Sequence, residues 1–102
     1  MSLEQITNGL KQRIEQKGGD VGLNATVKFN FSDDGVVFLD GASMPNVVSN
    51  DDTEADCTIT ISMSDFISMS AGELDPTTAF MMGKLRVAGN MGIAMKLSSI
   101  FG

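Results

Sequence analysis

The sequence predicts one α+β domain over residues 1–102, with helices packed against a sheet. Three observations carry this. Apolar residues recur every three or four positions at the start of the chain, around residues 63–71 and at the end, whereas they alternate in "NATVKFNF", "CTITIS" and "KLRVA". The two periods interleave with no internal repeat and no linker. Finally, 102 residues with 42% apolar and 20% charged content suffice for one core and argue against disorder.

Ser2 and Gln5 form a capping-box start, and Leu3, Ile6, Leu10 and Ile14 then mark an amphipathic helix over 3–17 that stops at Gly18-Gly19. In "NATVKFNF", Val27, Phe29 and Phe31 share one face of a strand, which runs to a turn at "SDDG" and pairs as a hairpin with "VVFLD", 36–40. That return strand is apolar on both faces, which predicts a more central place in the sheet than its neighbour. Pro45 opens a short third strand at "NVVS", and "NDDTEAD" is an acidic connection. "CTITIS" is a strand with Cys57, Ile59 and Ile61 inward. Ser62 then caps a helix that Gly72 closes, and Asp75-Pro76 opens a second that Gly83 ends. "KLRVA", 84–88, returns to a strand with Leu85 and Val87 on one side, and Gly89-Asn90 leads into a last helix, 91–101.

Charge and composition exclude several functions. Seven Lys and Arg against thirteen Asp and Glu give a net charge of −6, which repels a phosphate backbone, so no nucleic-acid partner is expected. The polar N-terminus has no signal-peptide pattern and no run approaches ~18 apolar residues, so the expected location is cytoplasmic.

No catalytic constellation is visible, and an enzyme is not expected. The chain has no histidine and no tyrosine, which removes the commonest general base and most zinc sites. Cys57 lies on an apolar strand face, where a small buried hydrophobe outweighs a nucleophile. Asp51, Asp52, Glu54 and Asp56 lack the glycine and terminal glutamate of a looped calcium site, so a solvated loop is expected and no metal. The glycines of "GKLRVAGNMG" match neither dinucleotide-binding nor phosphate-loop spacing, and no cofactor is expected.

The last three helices carry more apolar surface than one layer of sheet can cover. In the final helix Met91, Ile93, Ala94, Met95, Leu97, Ile100 and Phe101 spread over about 220° at ~100° per residue, roughly twice the stripe a surface helix needs. Phe80, Met81 and Met82 are consecutive, and Met63, Phe66, Ile67 and Met69 show the same excess. Two explanations stand. The helices bury against one another, with Met as gap-filler, or they line a cavity for an apolar ligand, for which unbranched, polarisable methionine is well suited. A sixteen-carbon chain moved from water into such a cavity would gain about 12 kcal/mol gross at ~0.8 kcal/mol per CH₂, before immobilisation costs.

From Ala55 to Leu97 the segments "ADCTITIS" and "GELDPTTAFMMGKLRVAGNMGIAMKL" resemble the sterol carrier protein type 2 domain, whose second half typically reads A-D-x-T-I-x, G-x-x-x-P-x-x-A-F and G-K-L-x-x-x-G-[ND]-M-G-x-A-x-K-L. The N-terminal half agrees in layout only. The resemblance is to stand-alone, bacterial-type members of that family. It implies a five-stranded, mostly antiparallel sheet covered on one face by about four to five helices, with a hydrophobic tunnel between the two layers. It implies non-catalytic binding, and intracellular transfer, of a fatty acid, acyl-CoA, phospholipid or sterol-like lipid. Carried over by position, the tunnel wall would draw on Phe66, Met69, Phe80, Met81, Leu85, Met91 and Met95.

Transient membrane contact is a secondary expectation. The first helix, which helps docking in some relatives, here pairs Lys11, Arg13 and Lys17 with Glu4 and Glu15. The alternative function is an accessory interaction domain that presents its apolar helices to an enzyme partner or to a second copy of itself.

Overall fold

The computed structural model describes residues 2–101, with side chains described for residues 2–96. Leu97, Ile100 and Phe101, counted above in the apolar sector of the last helix, therefore have side chains outside the described set. The elements are α1 (Leu3–Gln16), β1 (Thr26–Asn30), β2 (Val36–Asp40), β3 (Val47–Ser49), β4 (Cys57–Ile61), α2 (Met63–Ser70), α3 (Pro76–Met81), β5 (Leu85–Gly89) and α4 (Met91–Phe101). A single 3₁₀ turn, Ser32–Asp34, closes the β1–β2 hairpin.

Helix starts follow from local chemistry. Ser2 Oγ accepts from the Gln5 amide while Gln5 Oε1 accepts from the Ser2 amide, so two orphan donors of α1 are satisfied. Ser62 Oγ accepts from the Asp65 amide at α2, and an Asp75 carboxylate oxygen accepts from the Thr78 amide and hydroxyl at α3. At α4, Asn90 Oδ1 accepts from the Gly92 amide at 2.9 Å. The α2 and α3 ends turn through Gly72 and Gly83 at positive φ, as the sequence predicts.

The sheet order is β3-β2-β1-β4-β5, with three antiparallel pairings and one parallel, β1 with β4. Register brings the inward residues into rows. Val48, Leu39, Val27 and Cys57 form one, and Val37, Phe29, Ile59 and Val87 the next. All eight except the half-buried Val87 are buried. The four α-helices among the described residues cover this face, α1 lying on β2–β3 and α3 and α4 on β4–β5. Ile6, Leu10 and Ile14 of α1 are each at most 6% exposed, and their burial stabilises the domain by about 2 kcal/mol per side chain. The opposite face carries Lys28, Thr58, Thr60 and Arg86.

One expectation is corrected. β1, not β2, is the central strand. Both strands show the same alternation of buried and half-buried residues, so Val36 and Phe38 on the second face of β2 are only partly covered. The apolar double face of β2 reflects partial cover rather than depth. Element ends differ by a residue: α1 stops at Gln16 with Lys17 as its cap, and β5 extends to Gly89.

Long connections are held by side chains. Asn46 Oδ1 accepts from the Val21 amide at 2.9 Å, while its amide group donates to the Ser43 carbonyl at 2.8 Å, which ties the turn before β3 to the loop after α1. In the acidic connection Asp52 pairs with Lys28 at 2.8 Å, and Asp56 accepts from the Thr26 amide and hydroxyl.

Candidate functional site

A groove of about 320 Å³ opens between the β4–β5 edge of the sheet and the helices α2, α3 and α4. Its floor is Ile59 and Val87, which face each other across the β4–β5 ladder, with Leu85 beside them. Met69 of α2 closes the inner end. Phe80 with Pro76 and Thr77 forms one wall, and Met91, Ala94 and Met95 of α4 form the other. Thr77 is the only polar side chain among these and none is charged. The groove is open to solvent, and its rim is soft: Phe80 is 46% exposed, Met91 47% and Met95 75%.

The β5–α4 corner fixes the far wall. Gly89 has φ +97°, and a Cβ there would collide with the Asp56 carbonyl oxygen, which accepts from the Asn90 amide at 3.0 Å. That close approach swings α4 back across β4 and β5. Beneath it, Cys57 is fully buried next to the floor, and burial pushes its thiol pKa up, only partly offset by a hydrogen bond from the Ala94 amide. A raised thiol pKa disfavours the reactive thiolate.

Of the seven residues predicted to contact a ligand, the structure brings five to the groove: Met69, Phe80, Leu85, Met91 and Met95. It places two elsewhere. Phe66 is 3% exposed and stands edge-on to Phe29 and Phe31, with ring centroids at 5.3 and 5.2 Å. Met81 points away at 80% exposure, because the anchor of the short α3 is the fully buried Ala79. Sequence reasoning passed over Ile59, Pro76, Thr77, Val87 and Ala94. For Ile59 and Val87 the signal was present as inward alternation, but only the β4–β5 register shows that they meet beneath the helices.

A wider hollow of about 470 Å³ between the hairpin turn and β5 is lined by Asp33, Asp34, Lys84 and Arg86 among others. Its mixed charge does not suit an apolar ligand. Among the described residues no group of three or more His, Cys, Asp or Glu could hold a metal ion.

Known proteins agree with this architecture. The model of the SCP-2 sterol transfer family matches residues 4–102. The chain belongs to that family. Lipid binding and transfer is the general function of the SCP-2 family. Human "Sterol carrier protein 2" is 49% identical over 55 residues, which are 54% of this chain and 10% of that protein. The chain therefore spans about a tenth of the length of such curated relatives. Among solved structures, the sterol carrier protein domain 2 of Helicoverpa armigera superposes with a TM-score of 0.76 at 26% identity, covering 95% of this chain and 83% of that one. The palmitated SCP2L2 of Aedes aegypti shares the fold at a TM-score of 0.71 and 23% identity, covering 99% and 95%.

Proposed function

We propose that this SCP-2 domain holds the apolar part of a lipid in the groove between β4–β5 and α2–α4, and carries out no chemistry on it. The observation that carries the reading is the lining itself: apolar throughout except for Thr77, and edged by exposed Phe80, Met91 and Met95. Exposed apolar side chains around a concave apolar surface mark a binding site rather than a finished core. At about 320 Å³ the space is at the small end for a ligand pocket, so the flexible methionines of the rim fold over the guest and enlarge the buried surface.

The proposed contacts are Met69, Phe80, Leu85, Met91 and Met95, with Ile59 and Val87 as floor. Phe66 supports α2 from beneath. The ligand class is a fatty acid, acyl-CoA, phospholipid or sterol-like molecule, and the Aedes aegypti relative, described as palmitated, favours an acyl chain among these. The proposed setting is the cytoplasm, where the domain passes lipid between membranes or enzymes. No helix among the described residues is long and apolar enough to cross a membrane.

A second reading, an accessory domain that presents apolar helices to an enzyme or to its own copy, is favoured by Met81 and Met82, which are exposed outside the groove. Native mass spectrometry of the expressed chain, with displacement of a fluorescent fatty acid, separates the two. A saturable one-to-one lipid complex supports the binding reading, whereas a concentration-dependent protein mass with no lipid uptake supports the other.

A further inference from the structure

We infer that Met91 and Met95, on the α4 wall of the groove, are a reversible oxidation site at which hydrogen peroxide switches lipid uptake off. Composition makes methionine the side chain that an aqueous oxidant reaches. Eight of the 102 residues are methionine, and the chain has no histidine, tryptophan or tyrosine. Its one cysteine, Cys57, is fully buried. Among the described residues Met44, Met81, Met82, Met91 and Met95 are exposed, whereas Met63 is half-buried and Met69 only 5% exposed.

Two of these exposed methionines line the groove. Met91 and Met95 stand four residues apart on one face of α4, and both belong to its wall, whereas Met44, Met81 and Met82 do not. The thioether sulfur attacks one oxygen of hydrogen peroxide, and the O–O bond breaks as the S–O bond forms. The second oxygen takes the proton of the first and leaves as water. Sulfur loses the two electrons that the peroxide gains. The product is a sulfoxide, which turns a flexible apolar side chain into a polar one.

The lining makes that change unfavourable to binding. Among the lining side chains only Thr77 is polar, so a lipid covering the α4 wall would bury a sulfoxide oxygen with only the Thr77 hydroxyl to donate to it. Before oxidation the same guest covers both sulfurs, so an occupied groove shields them. Peroxide therefore disables empty domains and spares loaded ones. Reversal needs a thiol reductant. Two thiols become a disulfide and the sulfoxide oxygen leaves as water, the reaction of methionine sulfoxide reductases, one for each sulfoxide epimer. The exposure of Met91 and Met95 gives such enzymes access. The inference rests on the lipid-binding reading and adds to it a condition under which binding is lost.

The test treats the full chain with hydrogen peroxide, with and without saturating palmitic acid, stops the reaction with catalase and maps each methionine by peptide mass spectrometry. Met91 and Met95 are expected to oxidise about five-fold more slowly with palmitic acid present, Met44, Met81 and Met82 equally fast in both, and the buried Met69 hardly at all. Affinity for a fluorescent fatty acid should fall about ten-fold on oxidation in the parent and in M44L/M81L/M82L, and return with the two reductases and dithiothreitol. M91L/M95L, whatever its starting affinity, should keep it through the same treatment. Three results overturn the switch while uptake by the reduced chain still supports the groove: affinity that survives oxidation of Met91 and Met95, a loss that M91L/M95L shares, or a loss through unfolding that the reductases do not reverse. No uptake by the reduced chain overturns both.

Discussion

Gly89 lies against the backbone of Asp56, with its φ at +97° and no room for a Cβ beside the Asp56 carbonyl oxygen. The contact decides where α4, one wall of the groove, begins. Gly89→Ala is expected to cost about 2 kcal/mol or more, since it combines backbone strain with a collision against main chain that cannot move. Gly72→Ala is the comparison: Gly72 has φ +79° with open space around it, and should cost only the strain, about 1 kcal/mol. Urea denaturation of the two variants checks this, and equal losses would show that the Asp56 contact does not matter.

Phe66 distinguishes a core role from a ligand contact. Its ring packs edge-on against both Phe29 and Phe31, so Phe66→Ala is expected to lose about 3–5 kcal/mol and to leave little folded protein. Phe66→Leu keeps most of the volume and should fold with lower stability but nearly unchanged lipid affinity. A large loss of affinity in a well-folded Phe66→Leu chain would place this residue in the site after all.

Much of the fold was legible because its signals are local. Ser2, Ser62, Asp75 and Asn90 each announce a helix start by a side chain that reaches an amide two or three residues on, and each does so in the structure. Strand centrality was not legible. Alternation in β1, with Lys28 and Asn30 outward, reports that one face is solvated and says nothing about its two edges, both of which are paired. The groove was legible in part for the same reason. The methionine excess of α3 and α4 pointed to apolar surface without a partner, but which methionine turns inward depends on helix rotation, and α3 is a six-residue helix anchored by Ala79 alone. The floor of Ile59 and Val87 needed a pairing across more than twenty residues that no local pattern encodes.

Cys57 makes stability fall on the alkaline side. Its folded pKa is raised by burial, so the unfolded chain ionises first, and the thiol's contribution is complete below the ordinary thiol value of about 8.5 and lost as pH rises toward the folded value. Urea midpoints measured from neutral pH to about pH 10 should show this decline, and Cys57→Ala should lack that part of it. The native thiol should also react slowly with a thiol reagent. Rapid labelling of the folded protein would contradict its burial.

Asp40 acts on the acid side. The Ser43 hydroxyl at 2.8 Å holds its carboxyl below the usual range against the opposing effect of burial, and the Ala42 and Ser43 amides each add a smaller lowering. Its contribution is therefore present above the ordinary value of about 3.9 and lost as pH falls through the lower, folded value. Acid titration of folded Asp40→Asn should show a shallower loss than the parent. An identical acid limb would remove Asp40 from the account.

The central claim is that the groove takes up the apolar part of a lipid, and Met95 tests it most directly. This residue lines the groove yet is 75% exposed, so Met95→Glu can fold while setting a carboxylate at the mouth of an apolar space. Displacement of a fluorescent fatty acid is the measurement. The parent chain should bind it saturably at one site, and Met95→Glu, with an unchanged melting curve, should bind at least ten-fold more weakly. Equal affinity in the two folded chains, or no uptake by the parent, would contradict the claim.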